Sequence, residues 1–227
     1  MPGRIVYGIS SYRWAGLDPA TGDPQGYYKG QVSKNYQSIF TDSVQNQVFH
    51  GSALPLYSAF IRNNISWKGF TLSVNITGRF DYYFRQPALT LDYSPTMTLT
   101  SYSADYYNRW QKPGDEAFTN VPSMPYPVPS AVSQRNTFYR FAEIHVKRAD
   151  NIRLQDISLS YQWNNEKNKR IPFQSIRFFF YPNNLNLILW RASGSRYDPD
   201  FSGGSGDGDA VTAPVPKTWT TGMTINF

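Results

Sequence analysis

The sequence predicts an all-β fold: an antiparallel transmembrane β-barrel segment in which about five strands form an open sheet with long extracellular loops. Three observations support this fold class. Apolar and polar residues alternate along several segments, the clearest segment is longer than an ordinary globular strand, and the connections are very unequal in length. Such alternation gives a sheet one apolar and one polar face.

The composition fits a barrel better than a soluble domain. Of the 227 residues, 17% are aromatic and only 17% are charged, yet the mean hydropathy is −0.51. In a membrane barrel half of each strand faces lipid and half faces a polar bore, so the average over both faces is hydrophilic. No stretch approaches the roughly 18 to 20 apolar residues that a membrane helix needs.

The chain start and the charge exclude other classes. Residues 1–4 show no apolar segment like that of a signal peptide, so for an exported barrel we expect the natural start to lie upstream. The net charge of +6 comes from scattered Lys and Arg residues, and their densest group, within 164–170, fits a polar turn. We therefore expect no nucleic-acid partner. The absence of cysteine excludes a disulfide scaffold and a thiolate metal cluster.

The strongest local prediction is a hairpin of two long strands. In the second strand, residues 70–84, the apolar face holds Phe70, Leu72, Val74, Ile76, Phe80, Tyr82 and Phe84. The first strand, residues 57–67, has Tyr57, Ala59, Ile61, Ile65 and Trp67 at one parity. Lys68-Gly69 links them as a tight turn in which glycine supplies the positive φ.

Three further strands are predicted. One covers residues 152–163, and its apolar parity switches near Gln155, which predicts a bulge. Another spans residues 173–190, where Pro182-Asn183-Asn184 shifts the parity and predicts a kink or bulge. The last is the carboxy-terminal segment, with Trp219, Thr221, Met223, Ile225 and Phe227 on one face.

The connections predict an orientation. Residues 68–69 and 164–170 are short links, whereas 85–140 and 192–216 are long. Outer-membrane barrels have short periplasmic turns and longer external loops. Five strands cannot close a membrane barrel, because the smallest single-chain barrels have about eight, and an open edge in lipid leaves unpaired backbone groups. More strands are therefore expected to complete the sheet.

Several segments together resemble the SusC/RagA family of TonB-linked outer-membrane transporters. In order along the chain they are YRWAGLDP (12–19), TGDPQG (21–26), GSALP (51–55), NRWQKPGDE (108–116), TNVP (119–122), ADNIRLQDISL (149–159) and YDPD (197–200). Each is weak alone, but their order and spacing extend over almost the whole chain. By this resemblance residues 53–227 are the C-terminal part of the barrel, and residues 1–52 are a loop or connecting segment.

The resemblance implies a barrel of about 22 strands that is plugged by an amino-terminal domain. Such a parent imports oligosaccharides or peptides across the bacterial outer membrane, with a SusD-like lipoprotein and TonB as partners. The aromatic last strand, with Trp219, Met223, Ile225 and Phe227, resembles the signal that the barrel-assembly machinery recognises. Neither the plug domain nor the TonB-contacting segment is present, so the resemblance implies a fragment that does not transport on its own.

Candidate contacts with a transported molecule are the loop aromatics Tyr106, Tyr107, Trp110 and Tyr197, together with Tyr126. Flat rings stack on sugars, but they also pack loops together or join an interfacial girdle. Arg79 and Asp81 face the bore if the apolar stripe of the second strand faces lipid. There they either tune the passage or pair across strands.

No catalytic or metal site is predicted, and no cofactor. Asp115, Glu116, Asp198 and Asp200 lie in predicted loops, where solvated charge explains them. His50 and His145 have no partner at ligand spacing, and the Gly-Asp segment at 203–209 is one copy without the repetition of calcium-binding repeats.

The sequence thus predicts a non-enzymatic piece of an outer-membrane importer. One alternative is a soluble all-β carbohydrate-binding module, with the aromatic face buried against a second sheet. The other is a glycan-degrading enzyme. The module would stay monomeric in buffer without detergent, and the enzyme would hydrolyse its substrate.

Overall fold

The computed structural model describes residues 5–88, 104–165, 172–201 and 212–227, and these residues are mostly β. The described strands are β1 (Gly8–Ser11), β2 (Gly16–Leu17), β3 (Pro24–Tyr28), β4 (Gln31–Ser33), β5 (Val48–Ser52), β6 (Tyr57–Trp67), β7 (Phe70–Phe80), β8 (Tyr83–Arg85), β9 (Val146–Arg148), β10 (Asn151–Asn164), β11 (Ser175–Asn183), β12 (Leu187–Arg191) and β13 (Thr218–Asn226). The α-helices within the same residues are α1 (Tyr36–Phe40) and α2 (Val132–Arg140). Short 3-10 turns cover Val44–Asn46, Ala104–Asn108, Asp115–Ala117 and Glu143–His145.

The chain divides into two compact units. The loop unit comprises residues 1–54, 83–147 and 195–212. The sheet unit comprises residues 55–82, 148–194 and 213–227. The two predicted long connections, 85–140 and 192–216, therefore supply much of the loop unit, and the predicted strands supply the sheet unit. The predicted boundary between residues 52 and 53 stays a prediction.

The sheet unit is an antiparallel meander in the order β13-β11-β10-β7-β6. The broken strand formed by β11 and β12 lies along one side of β10, because β11 pairs with residues 159–164 of β10 and β12 with residues 151–154. No partner for the outer edge of β6 or of β13 lies among the described residues. The predicted open antiparallel sheet is confirmed.

The predicted hairpin turn is also confirmed. Lys68 has φ 44° and Gly69 has φ 87°, while Trp67 pairs with Phe70 on either side of the turn. Two consecutive positive φ values are those of a type I′ turn, whose twist matches the twist of the flanking strands. The Lys68 ammonium lies 4.9 Å from the centre of the Trp67 ring.

The bulge predicted near Gln155 is present. Leu154 pairs with Ile76 and Asp156 with Asn75, so Gln155 is the extra residue of β10. The bulge keeps Leu154 and Ile157 on the same face although they differ in parity. The predicted interruption after Pro182 is present too, since β11 ends at Asn183 and β12 begins at Leu187, with positive φ at Asn184 and Asn186.

One strand prediction was wrong. The alternating pattern predicted that the second strand runs to Phe84, but β7 ends at Phe80 and Asp81 has φ 60°. The Asp150 carboxylate accepts hydrogen bonds from the backbone N–H of Asp81 at 2.9 Å and of Tyr82 at 3.4 Å, which fixes the corner. The side chains of Tyr82 and Phe84 are therefore buried and do not extend the apolar stripe.

The core of the loop unit is aromatic. Tyr36, Ile39 and Phe138 are buried together, and Tyr12, Trp14, Tyr28 and Phe40 pack around them. Nearby, the guanidinium of the buried Arg135 donates from Nε to Asp23 Oδ1 at 2.7 Å and from Nη2 to the Ser123 carbonyl at 2.8 Å. Helix α2 supplies both Arg135 and Phe138, three residues apart on its buried face. The sequence analysis predicted no helix in this segment.

The ends of the sheet differ as predicted. The turn at 68–69 and the link from β10 to β11 lie at the same end, since Phe70 pairs with Tyr161 and Asn164 with Ser175. The last strand also ends there, where Asn226 pairs with Ser175. The long connections leave from the opposite end, after Phe80 and after Arg191. Residues 166–170 of the predicted polar turn and the Gly-Asp segment at 203–209 lie outside the described residues.

Candidate functional site

The apolar face of the sheet is exposed. Among its large side chains, Trp67 is 66% exposed, Ile61 62%, Phe178 50% and Leu159 43%. Isolated exposed apolar residues are ordinary, but a contiguous face of this size is typical of a surface that meets lipid or protein. One polar residue, Asn63, lies in this stripe opposite Val74.

Aromatic rings lie at both ends of the apolar face on β6, β7 and β10. At the short-turn end are Trp67, Phe70, Tyr161 and Trp163, and at the other end are Tyr57 and Phe80. Between them the face is mainly aliphatic, with Ile61, Ile65, Leu72, Val74, Ile76, Leu154, Ile157 and Leu159. Outer-membrane barrels have this order of aromatic girdle, apolar band and second girdle.

The length of this band suits a bilayer. Strand β6 has 11 residues with an aromatic residue at each end, which separates the two girdles by ~33 Å along the strand. A strand tilted by about 40° then crosses an apolar layer of ~25 Å, the height of the lipid-facing band of such barrels. No helix among the described residues is long and apolar enough to cross a membrane.

The opposite face of the sheet is polar. Arg79 lies on it, opposite Ser58 on β6 and Asn151 on β10. Asp81 lies just beyond the end of β7, and its side chain is exposed at the corner that Asp150 fixes. A role for either side chain in a passage stays a prediction.

Three of the five candidate contact residues, Tyr106, Tyr107 and Tyr197, are brought together in the loop unit. The Arg196 guanidinium forms an ion pair with Asp105, which joins the segment of Tyr197 to the turn that carries Tyr106 and Tyr107. Tyr106 and Tyr107 meet edge to face at 5.6 Å.

Guanidinium groups stack on two of these rings. The Arg109 guanidinium lies 4.1 Å from the centre of the Tyr106 ring, and that of Arg196 lies 5.2 Å from the Tyr197 ring. Tyr107 is 79% exposed, and Tyr126 is exposed as well. This cluster is available to a ligand, but its role stays a prediction.

Trp110, the fourth candidate, is placed differently. Its indole is only 8% exposed and donates from Nε1 to Glu116 Oε2 at 3.0 Å. A hydrogen bond from its own backbone N–H, then the one from the Trp110 indole and a smaller contribution from Gly114 N–H, hold the pKa of Glu116 below its usual value. The structure favours the packing interpretation of this ring.

The residues of the predicted assembly signal share the apolar face. Trp219 pairs with Pro182, Met223 with Phe178 and Ile225 with Ile176. Trp219 stacks on Phe180 at 5.7 Å, and Phe227, just beyond the strand, is 79% exposed. Recognition of these residues by assembly machinery stays a prediction.

Both histidines are structural neighbours of the loop core. His50 Nε2 lies 2.6 Å from Ser11 Oγ, and burial lowers the pKa of His50, followed by the charge of Arg85. His145 is buried edge-on against Tyr139 at 4.6 Å. Burial first, and then the charges of Arg85 and Lys147, lower the pKa of His145 to about 3.

A group of charged residues on the polar face of the sheet was not predicted from the sequence as a site. Arg62, Asp156 and Arg177 line one open groove there. The signal was present, because each alternates with the residues of the apolar stripe. A side chain that faces away from the apolar stripe faces the bore of a barrel.

No protein-family model matches the chain, and no curated protein matches it. Among solved structures, the chain is similar to the RagAB peptide importer in its 'closed-closed' state, with a TM-score of 0.64 and 19% identity over 96% of this chain and 23% of that one.

Two further solved structures show a similar likeness to this chain. The RagAB peptide importer in its 'open-open' state gives a TM-score of 0.62 and 19% identity over 96% of this chain and 22% of that one. A structure of the RagAB peptide transporter gives 0.63 and 18% over 97% and 22%. At this identity the likeness shows the fold. It is a likeness to a transporter, not to an enzyme, and this chain spans less than a quarter of the transporter chains.

Proposed function

We propose that the chain is part of the wall of an outer-membrane importer of the SusC/RagA type, and that residues 53–227 supply its C-terminal barrel strands. The exposed apolar face of the sheet, bordered by aromatic rings at both ends, carries this proposal. Exposing such a face to water is unfavourable by about 25 cal/mol for each Å². Lipid removes that cost.

The open edges of the sheet support an incomplete wall. Neither β6 nor β13 has a second partner strand among the described residues, and unpaired backbone groups cost several kcal/mol each in lipid. Further strands therefore complete the barrel. Uptake belongs to the complete assembly, in which a SusD-like lipoprotein and TonB are the proposed partners.

We propose peptide as the transported molecule. The similar solved chains are named as peptide importers, and none of the structures reported above supports oligosaccharide uptake. We also propose that the barrel-assembly machinery recognises Trp219, Met223, Ile225 and Phe227.

Single-cysteine labelling tests the wall. The chain has no cysteine, so each introduced cysteine is a unique label. Neighbouring residues on opposite faces form matched pairs, namely Asn64→Cys with Ile65→Cys, Thr71→Cys with Leu72→Cys, and Ser158→Cys with Leu159→Cys. The chain is reconstituted in lipid vesicles, floated, and treated with a water-soluble maleimide.

We expect the cysteines at 64, 71 and 158 to react and those at 65, 72 and 159 to be protected until detergent dissolves the lipid. Equal reaction of both members of each pair contradicts the proposal. A chain that stays in the aqueous fraction as a monomer supports a soluble carbohydrate-binding module instead.

A further inference from the structure

The polar face of the sheet carries an open groove with a volume of about 460 Å³. Its polar and aromatic lining includes Arg62 of β6, Asn75 of β7, Asp156 of β10, and Arg177, Phe179 and Tyr181 of β11. With Thr224 of β13, the groove thus crosses five strands of one sheet. All its lining residues belong to the sheet unit.

The bulge of β10 builds the centre of the groove. Because Gln155 is inserted, Asp156 lies beside Asn75 on the polar face, and Arg62 lies on the other side of Asn75. In a regular ladder without the bulge, Gln155 would pair with Asn75, and Asp156 would pair with Val74 and face the apolar side. Bulges often re-aim a side chain beside a functional site.

The acidic charge of the groove already has partners within the sheet. Asn75 Nδ2 donates to Asp156 Oδ1 at 2.6 Å, and Tyr181 lines the groove together with this carboxylate. Asn75 Oδ1 accepts no hydrogen bond from the described residues.

The basic charges of the groove are not neutralised in this way. Among the described residues, no carboxylate forms an ion pair with Arg62 or Arg177. Arg177 Nη2 donates to Ser160 Oγ at 3.3 Å, a neutral acceptor. Two guanidinium groups without an acidic partner make the groove complementary to an anionic ligand.

The spacing of the two guanidinium groups describes the ligand. Arg62 lies in the row of Asp156, whereas Arg177 pairs with Gln162, six residues further along β10. The two backbones are therefore ~20 Å apart along the strands and ~14 Å apart across them, or ~24 Å in all. The guanidinium groups are then roughly 12 Å apart when both side chains point toward each other and about 24 Å apart when neither does. A peptide of about four to seven extended residues covers this distance.

We propose that this groove binds a short acidic peptide, with one carboxylate at Arg62 and a second at Arg177. The inference rests on the proposed function, since it assigns the groove to the transported molecule. The Phe179 ring forms an apolar part of the wall and covers Gly222, where an added Cβ would lie 2.4 Å from the ring. The peptide backbone lies between the two charged ends.

Fluorescence anisotropy with synthetic hexapeptides tests the groove. The probe is Glu-Ser-Gly-Ser-Gly-Glu, and the comparison peptide has lysine at both ends. The protein is the full 227-residue chain in detergent micelles, as wild type, Arg62→Gln, Arg177→Gln and the double variant. Arg191→Gln is the matched control, because it removes the same charge from an exposed strand residue of the same sheet that does not line the groove.

We expect the acidic peptide to bind and the lysine peptide not to bind. Each groove variant should weaken the affinity about threefold to tenfold, as expected for exposed charge-assisted contacts. The double variant should abolish the difference between the peptides, Arg191→Gln should have the wild-type affinity, and Arg62→Lys should recover part of the loss.

Equal binding of both peptides overturns the inference, and so does an equal loss in Arg191→Gln, which would indicate general attraction to the basic chain. Self-association that the double variant abolishes, without peptide binding, would show a second copy in the groove and also overturns it. Far-ultraviolet circular dichroism shows whether a glutamine variant has unfolded. In that case the peptide affinities of Arg62→Lys and Arg177→Lys, which keep the positive charge, test the proposal instead. If the peptide test fails while cysteine labelling still differs between the two faces of the strands, the groove proposal is refuted and the proposed barrel wall is not.

Discussion

The two units use aromatic residues in opposite ways. In the loop unit Phe138 is completely buried, and rings from α1, α2 and the first strands surround it. In the sheet unit Phe178 is 50% exposed and Trp67 66% exposed, although both lie in well-paired strands. The same residue type thus forms a core in one unit and an outer surface in the other.

Several polar groups show the inverse difference, although the sheet unit also buries Arg153, whose guanidinium donates to Asn151. The loop unit buries Arg135, whose guanidinium is held by Asp23 and the Ser123 carbonyl. The sheet unit leaves Arg62 and Arg177 exposed on its polar face. A buried apolar core with hydrogen-bonded polar groups beside it is typical of a chain region that folds in water. An apolar exterior opposite a polar face is the solution for a barrel wall in lipid.

The largest expected effect comes from removing the centre of the aromatic core. Phe138→Ala should destabilise the loop unit by about 3–5 kcal/mol, because the ring is fully buried and the cavity cannot collapse easily. Hydrogen exchange of α1 and α2 with mass spectrometry measures this loss. Phe178→Ala on the apolar face is the matched control and should leave that exchange unchanged. Equal effects of the two substitutions would remove the distinction between the units.

A charge placed in the apolar stripe should have the next largest effect. Ile61→Arg should reduce the stability of the chain in lipid vesicles by about 2–4 kcal/mol, since Ile61 lies near the middle of the apolar band. Asn64→Arg, on the polar face of the same strand, should cost less than about 1 kcal/mol. Urea titration of vesicle-bound chains measures both. A larger loss for Asn64→Arg would invert the assignment of the faces.

The sequence predicted the sheet unit well for a physical reason. A strand with different surroundings on its two faces must alternate, and the alternation is visible residue by residue. The turn at Lys68-Gly69, the bulge at Gln155 and the break after Pro182 were therefore all found. Each is a local change of parity or a residue type that favours positive φ.

The loop unit was largely missed because its structure depends on distant contacts. A distant contact also explains the wrongly predicted end of β7 in the sheet unit, where the corner at Asp81 is fixed by Asp150, 69 residues away. Trp110 is buried by contacts of its indole with Gly22 and Glu116. For α2 a local signal existed in the spacing of Arg135, Phe138 and Tyr139, but three prolines just before it favour a loop. The groove was missed because parity alone does not show which polar residues converge.

A pH-dependent loss of stability should be specific to the loop unit. The pKa of His145 is lowered from 6.5 to about 3, so its contribution is complete above pH 6.5 and falls as the pH drops toward 3. At pH 4.5 the loss is about 2–3 kcal/mol. Hydrogen exchange of α2 at pH 7 and pH 4.5, corrected for the intrinsic rates, measures it. In His145→Phe most of the difference should disappear, with a smaller part left from His50, whose pKa is also lowered; an undiminished difference would assign it to other groups.

The smallest effect concerns the hairpin turn of the sheet unit. At Gly69, φ is 87° and an added Cβ would lie 2.5 Å from the Gln162 carbonyl oxygen, on the neighbouring strand. The backbone cannot relax without loss, because the Gln162 N–H donates to the Gly69 carbonyl at 2.8 Å. Gly69→Ala should therefore cost about 1–2 kcal/mol in vesicle unfolding. Gly194→Ala, with open space around its Cβ position and no positive φ, should be neutral. An unchanged Gly69→Ala variant would show that the turn does not fix the register of β6 and β7.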